Sequence, residues 1–205
     1  MNFKLLNKPK PPAAILESIY RSIAKFDQQQ IEVTGLSDLK RFETFGDTFE
    51  FIDKTHEKYS KEVLGLNLEL LEEYYPSVCV LSFLPVEQDV ADWVHENITP
   101  KGFVGINIFH SGDFFFPHID LMRTKAINCV IEPGGDNVTT AWYTPKKEFE
   151  HLEATTRTFI PYDRVEVIEE QIFAAGDWYE LDVSKIHNVK DIDPTKRRIT
   201  ITVSL

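Results

Sequence analysis

The amino-acid sequence predicts a mainly β protein with flanking helices, its second half folded as a sandwich or jelly roll. Three observations lead there. Beyond residue 100, short runs of β-branched and aromatic residues alternate with turn signals: Ser111-Gly112-Asp113, Pro133-Gly134-Gly135-Asp136-Asn137, Ala175-Gly176-Asp177 and Asp191-Ile192-Asp193-Pro194. The first hundred residues carry helical periodicity instead. The 205-residue chain is 42% hydrophobic and 12% aromatic, which supports one packed core rather than a disordered segment. The expected organisation is a single domain over 1–205, with 1–100 as helical support and 101–205 as the β core.

Residues 1–12 read as an extended arm ending in Pro11-Pro12. A helix follows, because proline suits the first helical turn and Ile15, Leu16, Ile19, Tyr20 and Ile23 recur on one face. Residues 27–60 are polar and ambiguous, with a strand signal at 30–34. Helices are predicted over 62–74, stopped by Pro76, and over 87–96, with a strand at 78–84 between them. In the second half, strands are predicted at 103–109, 114–118, 125–131, 138–143, 164–173, 178–183 and 198–205. Strands this short, at this spacing, fit a jelly roll.

The formal net charge of -11 sets an acidic surface against phosphate backbones, so nucleic acid is not an expected partner. Cys79 and Cys129 both sit in apolar, strand-like runs and offer neither a disulfide framework nor zinc spacing. No apolar stretch approaches the roughly 20 residues that span a bilayer. The amino-terminal residues lack an apolar signal core. These features together predict a soluble protein of a reducing cytoplasm with no membrane partner.

The most informative residues are His118-Ile119-Asp120 and the distant His187. In a strand, alternate residues share a face, so His118 and Asp120 point the same way while Ile119 packs behind. Two imidazoles and one carboxylate can occupy one face of a ferrous octahedron and leave positions open. A lone His-x-Asp is more often a core histidine bonded to a carboxylate. Here His187 follows a Gly176-Asp177 turn and a strand-like run, and Arg197-Arg198 opens the alternating last strand Ile199-Thr200-Ile201-Thr202-Val203.

That order (His-x-Asp, a distal His, then an arginine on the final strand) resembles the 2-oxoglutarate and Fe(II)-dependent dioxygenase superfamily. The spacing from His187 to the arginine pair also suits its prolyl-hydroxylase-like and aspartyl/asparaginyl-hydroxylase-like branches. The matching segments are Phe116–Asp120, Phe173–Asp182, Ile186–Val189 and Arg197–Val203, within a region of roughly 100–205. The resemblance implies a double-stranded β-helix, a distorted jelly roll of cupin-like shape. It further implies that His118, Asp120 and His187 ligate Fe(II), with molecular oxygen and 2-oxoglutarate as co-substrates.

A basic residue on the last strand would then grip the distal carboxylate of 2-oxoglutarate. Arginine suits this because its planar fork binds a carboxylate through two parallel hydrogen bonds. Arg198 shares a face with Thr200, Thr202 and Ser204, and Arg197 shares one with the apolar Ile199, Ile201 and Val203. A polar co-substrate pocket favours Arg198 with Thr200, leaving Arg197 at the rim. Tyr143 either bonds the co-substrate or is a core aromatic. Asn128 and Arg123 follow the ligand pair and could face the mouth, although a solvated loop position explains Arg123 as well. His110 reads as structural or exposed, and Glu169-Glu170 as a surface pair; His56, His95 and His151 receive no role.

The resemblance implies hydroxylation of a C–H bond in an amino acid, peptide side chain or small metabolite. Asp120 argues against halogenation, in which a small residue replaces the carboxylate. Two other readings stay open: a cupin-type metal enzyme that uses no 2-oxoglutarate, and a non-catalytic jelly-roll binding module. The substrate is not written in the sequence. The loops at 111–116 and 144–162 are the candidate lids, and Lys146, Lys147, Arg157 and Arg164 give only a weak hint of an anionic substrate.

Overall fold

The structure, a computed structural model, describes residues 1–30, 82–109, 117–120, 123–149, 160 and 162–205. By contact it separates into two compact units, Met1–Ser22 with Ser77–Leu205, and Ile23–Pro76. Apart from residues 23–30, the first unit carries everything that follows. The predicted helix at 62–74 lies outside the described residues, as does the strand signal at 30–34 except for Gln30, which ends a helix instead. Most of the strands expected at 78–84 and 114–118 lie outside them too, as do the whole of the candidate lid at 111–116 and part of the one at 144–162.

The described chain is mainly β. It runs β1 (Phe3–Leu6), α1 (Ala13–Gln30), β2 (Ser82–Pro85), α2 (Gln88–Asn97), β3 (Phe103–Phe109), β4 (Lys125–Pro133), β5 (Thr139–Pro145), β6 (Val165–Gln171), β7 (Trp178–Asp182), β8 (His187–Lys190) and β9 (Arg198–Ser204). These strands form two antiparallel sheets, a six-stranded one ordered β1-β7-β4-β9-β3-β2 and a three-stranded one ordered β6-β5-β8.

Alternation along the strands sorts side chains between two layers. Ala126, Val130, Tyr179 and Leu181 of the larger sheet and Trp142 of the smaller one meet in one buried cluster with Phe173 and Val183. The core therefore lies between the sheets. On the outer face of the larger sheet Trp178 contacts Trp93 of α2, with ring centroids 6.3 Å apart. Val90 and Val94 are the buried face of that helix.

The arm at 1–12 is more ordered than its sequence suggests. Residues Phe3–Leu6 add an edge strand to β7 because Phe3 has an aromatic pocket to fill. Its ring lies 5.7 Å from Trp142, 5.5 Å from Phe173 and 6.5 Å from Tyr179. The indole of Trp178 donates to the Pro9 carbonyl at 3.0 Å, and Lys10 pairs with Asp177 at 3.2 Å.

Helix α1 starts where Pro11-Pro12 predicts, with the Ile15 and Leu16 amides bonded to the Pro12 carbonyl. Its buried face differs from the expected one. Ile15, Ser18, Ile19 and Ile23 are buried, while Tyr20 is 38% exposed. A serine belongs on that face because its hydroxyl donates to Asp89 of α2 and accepts from Arg21.

Cys129 is a free, fully buried thiol, and burial pushes its pKa up to about 12. Among the described residues, no helix is long and apolar enough to cross a membrane. Truncating the aromatic that docks the amino-terminal strand leaves a hole in the core. Phe3→Ala should lower the unfolding free energy by about 2 kcal/mol, below the full cost for a completely buried Phe because Phe3 is only partly buried. Urea denaturation checks this.

Candidate metal centre

The segment Pro117–Asp120 forms only an isolated bridge with β8, yet that bridge sets the site. The His118 amide donates to the His187 carbonyl at 3.0 Å, and the His187 amide returns the bond to His118 at 2.9 Å. Such a reciprocal antiparallel pair sets the two side chains side by side on one face. The Asp120 amide donates to Val183 at 3.1 Å, and the alternation of an extended chain brings its carboxylate back to the face of His118. On the far side of β8, Trp142 of β5 stands opposite His187.

One ligand atom each from His118, Asp120 and His187 can be chosen so that all lie within 4.8 Å of one another. The Nε2 atoms of His118 and His187 are 3.4 and 3.9 Å from the same Asp120 oxygen, Oδ1. His187 Nδ1 lies 2.9 Å from the Lys185 carbonyl. A proton held there keeps the Nε2 lone pair turned toward the cluster, as a backbone acceptor does for metal-binding histidines. Two imidazole nitrogens and one carboxylate oxygen, with no thiolate, are a donor set suited to a facially bound ferrous ion.

The protonation states fit the same use. Burial opposes ionisation of Asp120, but the His118 hydrogen bond, the imidazole of His187 and the guanidinium of Arg123 together hold its carboxyl well below the usual range. Burial, aided by His118 alongside, lowers the pKa of His187 to about 4. At neutral pH the centre therefore offers a carboxylate and a neutral His187 imidazole.

The last strand brings a second charged group to this interior. Arg198 is 3% exposed, and burial lowers its pKa to about 10, so it stays cationic at neutral pH. Its Nη1 donates to the Pro133 carbonyl at 3.0 Å, and among the described residues no carboxylate pairs with it. Gly134 permits this close approach. It adopts a φ of +82°, and a Cβ there would stand 3.0 Å from the Cβ of Arg198.

Thr200, Thr202 and Ser204 share the Arg198 face of β9. Register places Asn107 beside Thr200 and Asn128 beside Thr202. The side-chain oxygens of both asparagines are buried without a hydrogen-bond partner, as is Thr139 Oγ1. Buried polar atoms are seldom left so. The buried guanidinium of Arg198, with no carboxylate partner among the described residues, fits a small anion such as a dicarboxylate, whereas the unpartnered Asn107 and Asn128 oxygens accept hydrogen bonds and so call for a donor group.

The sequence-predicted residues divide accordingly. His118, Asp120 and His187 come together, and Arg198 and Thr200 line the same interior. Arg197 precedes β9, is about a third exposed and reaches Glu132 at 3.2 Å. Tyr143 is a buried aromatic, 3% exposed. Trp142, not Tyr143, is the register partner of His187, so Tyr143 turns to the opposite sheet face. Its hydroxyl donates to Asn188 at 2.8 Å, and Asn188 in turn donates to Tyr162.

Arg123 is not a solvated loop residue; its Nε donates to Asp120 Oδ2 at 2.6 Å. Glu169 accepts the Asn2 amide at 2.6 Å, and Glu170 pairs with Lys190. His95 meets the Gly102 carbonyl at 3.0 Å, away from the centre. His56, His110 and His151 lie outside the described residues. Asn107 was not foreseen, and its one signal is a polar residue interrupting the apolar run Phe103–Phe109.

No family model and no curated protein matches the chain. Among solved structures it is similar to the X-ray structure of E. coli ycfD, at 13% sequence identity and a TM-score of 0.32. The alignment covers 51% of this chain and 26% of that one. Likeness at that level carries no argument.

The lowered His187 pKa sets a sign for stability. The unfolded state binds the proton more tightly than the folded one, so the contribution is complete above about pH 6.5 and fades as pH falls toward 4. Metal-free wild type should lose up to about 3 kcal/mol across that window relative to His187→Gln. Parallel urea melts of the two proteins from pH 7 to pH 4 measure the difference, and equal slopes would contradict it.

Proposed function

We propose that this protein is a non-haem Fe(II) and 2-oxoglutarate-dependent dioxygenase that hydroxylates an amino acid, a peptide side chain or another small metabolite. The observation that carries the reading is Arg198. It is a buried guanidinium without a carboxylate partner among the described residues, on the face of β9 that also reaches the His118–Asp120–His187 cluster through Arg123. A metal cluster alone would suit a cupin-type enzyme equally. A buried cation on the same strand face as the anchor of that cluster calls for an anionic co-substrate.

Strand order supports a double-stranded β-helix. The central strands β3, β9, β4 and β7 face a second layer in which the His118 segment, β8, β5 and β6 lie in succession. Passage of the chain between the layers at the His118 segment, β4, β5, β7, β8 and β9 is the pattern of a jelly roll.

Within this reading His118, Asp120 and His187 hold the metal, and Arg198 takes the distal carboxylate of 2-oxoglutarate beside Thr200. The unpartnered oxygens of Asn107 and Asn128 accept from a donor group of the substrate, and Trp142 walls the far side of His187 against water. When bound, Fe(II) with 2-oxoglutarate and molecular oxygen supplies the oxidising power, the keto acid leaving as succinate and carbon dioxide. Asp120 occupies the third protein position, which favours hydroxylation over halogenation. The acidic chain is suited to a small-molecule or peptide substrate rather than nucleic acid. A reducing cytoplasm would keep the metal ferrous.

Calorimetric titration of 2-oxoglutarate into the Mn(II)-loaded protein separates the two arginines. Arg198→Ala should weaken 2-oxoglutarate by at least about tenfold, the loss of a charge-assisted carboxylate grip, and leave Mn(II) affinity unchanged. Arg197→Ala should change neither. Wild-type affinity for 2-oxoglutarate in Arg198→Ala would contradict the assignment.

A further inference from the structure

Arg123 lies between the ligand pair and β4, and its guanidinium joins two parts of the site. Nε donates to Asp120 Oδ2 at 2.6 Å, while Nη1 donates to Thr202 Oγ1 at 3.1 Å and Ser204 Oγ at 2.9 Å. Its side chain is 20% exposed and that of Asp120 15%. The backbone bonds of residues 117–120 fix where Asp120 starts, but not the rotation of its carboxylate, a broad and weakly restrained torsion. A planar fork held at both ends removes that freedom. With Oδ2 taken by Arg123, Oδ1 is the oxygen turned toward both histidine Nε2 atoms.

We propose that Arg123 is the positioning residue of the metal centre. It makes Asp120 a one-oxygen ligand and ties that ligand to β9, the strand that also carries Arg198. The metal and the co-substrate's anchoring arginine thereby share one rigid support. This inference rests on the metal-centre reading above.

Co(II) titration of the full-length protein, followed by its visible absorption, reads affinity and coordination geometry together, and circular dichroism reports folding. Arg123→Met should weaken Co(II) by about 10- to 100-fold, as loss of an outer hydrogen-bond partner does, and alter the band shape as Asp120 turns both oxygens to the ion. Arg123→Lys should recover only part of the affinity and not the band shape, because it restores the charge without the fork. The Thr202→Val/Ser204→Ala protein keeps Arg123 and loosens its anchor, so it should shift both readouts the same way by a smaller factor.

Wild-type affinity and spectrum in both Arg123→Met and the double variant would overturn the proposal. So would full rescue by Lys with an unchanged spectrum, which would reduce Arg123 to a source of charge. If Arg123→Met fails to fold, the double variant decides. Wild type that binds no divalent ion would overturn the underlying metal reading, and this inference with it.

Discussion

The reciprocal backbone pair between His118 and His187 is the constraint on which the rest of the site depends. Among the described residues, 117–120 form no strand, so the bridge is their backbone tie to β8. Two amide–carbonyl bonds, at 3.0 and 2.9 Å, fix the separation of the imidazoles. The Asp120–Val183 bond sets the phase of the next alternate residue. Buried backbone groups must find partners, and here that requirement also builds the ligand set. β8 in turn is held by β5, where Trp142 stands opposite His187, and the Trp142 indole donates to the Asp182 carbonyl at 2.9 Å.

The second constraint is that β9 is buried on both sides. Ile199, Ile201 and Val203 are all 0% exposed and face the helical side, while Arg198, Thr200 and Thr202 are 3%, 5% and 0% exposed and face the interior between the sheets. A polar row at such a position is costly unless each group is satisfied. Thr202 is satisfied through Arg123, and through it the strand touches Asp120. The guanidinium of Arg198 and the amides of Asn107 and Asn128 are less completely served by the described protein. Under the proposed function the anionic co-substrate completes Arg198, and the two amide oxygens accept from a donor group other than that anion.

Much of this was legible in the sequence where one physical signal dominated. Strand alternation placed β3 and β9 within a residue, and the apolar spacing of 87–96 located α2. The facing argument that chose Arg198 over Arg197 needed only alternation and the polarity of Thr200, Thr202 and Ser204. Other features depended on partners far along the chain. β1 is a strand because Phe3 finds Trp142, Phe173 and Tyr179, none of them predictable from its own neighbours. β8 is four residues long, too short for a periodic signal, and exists through its ladder to β5. The facing of Tyr143 stayed open in the sequence because it depends on the register between those strands. Arg123 looked like a loop residue because its partners, Thr202 and Ser204, lie at the other end of the chain.

The central claim is that one interior holds a ferrous ion and a keto acid in contact. Anaerobic addition of Fe(II) and then 2-oxoglutarate to the metal-free protein tests it most directly, through the weak visible charge-transfer band of a chelated ferrous keto acid. The account predicts that the band appears only when both are present and saturates at one equivalent of each. Folded protein that binds Fe(II) but never develops the band would contradict it, leaving a metal protein of another class.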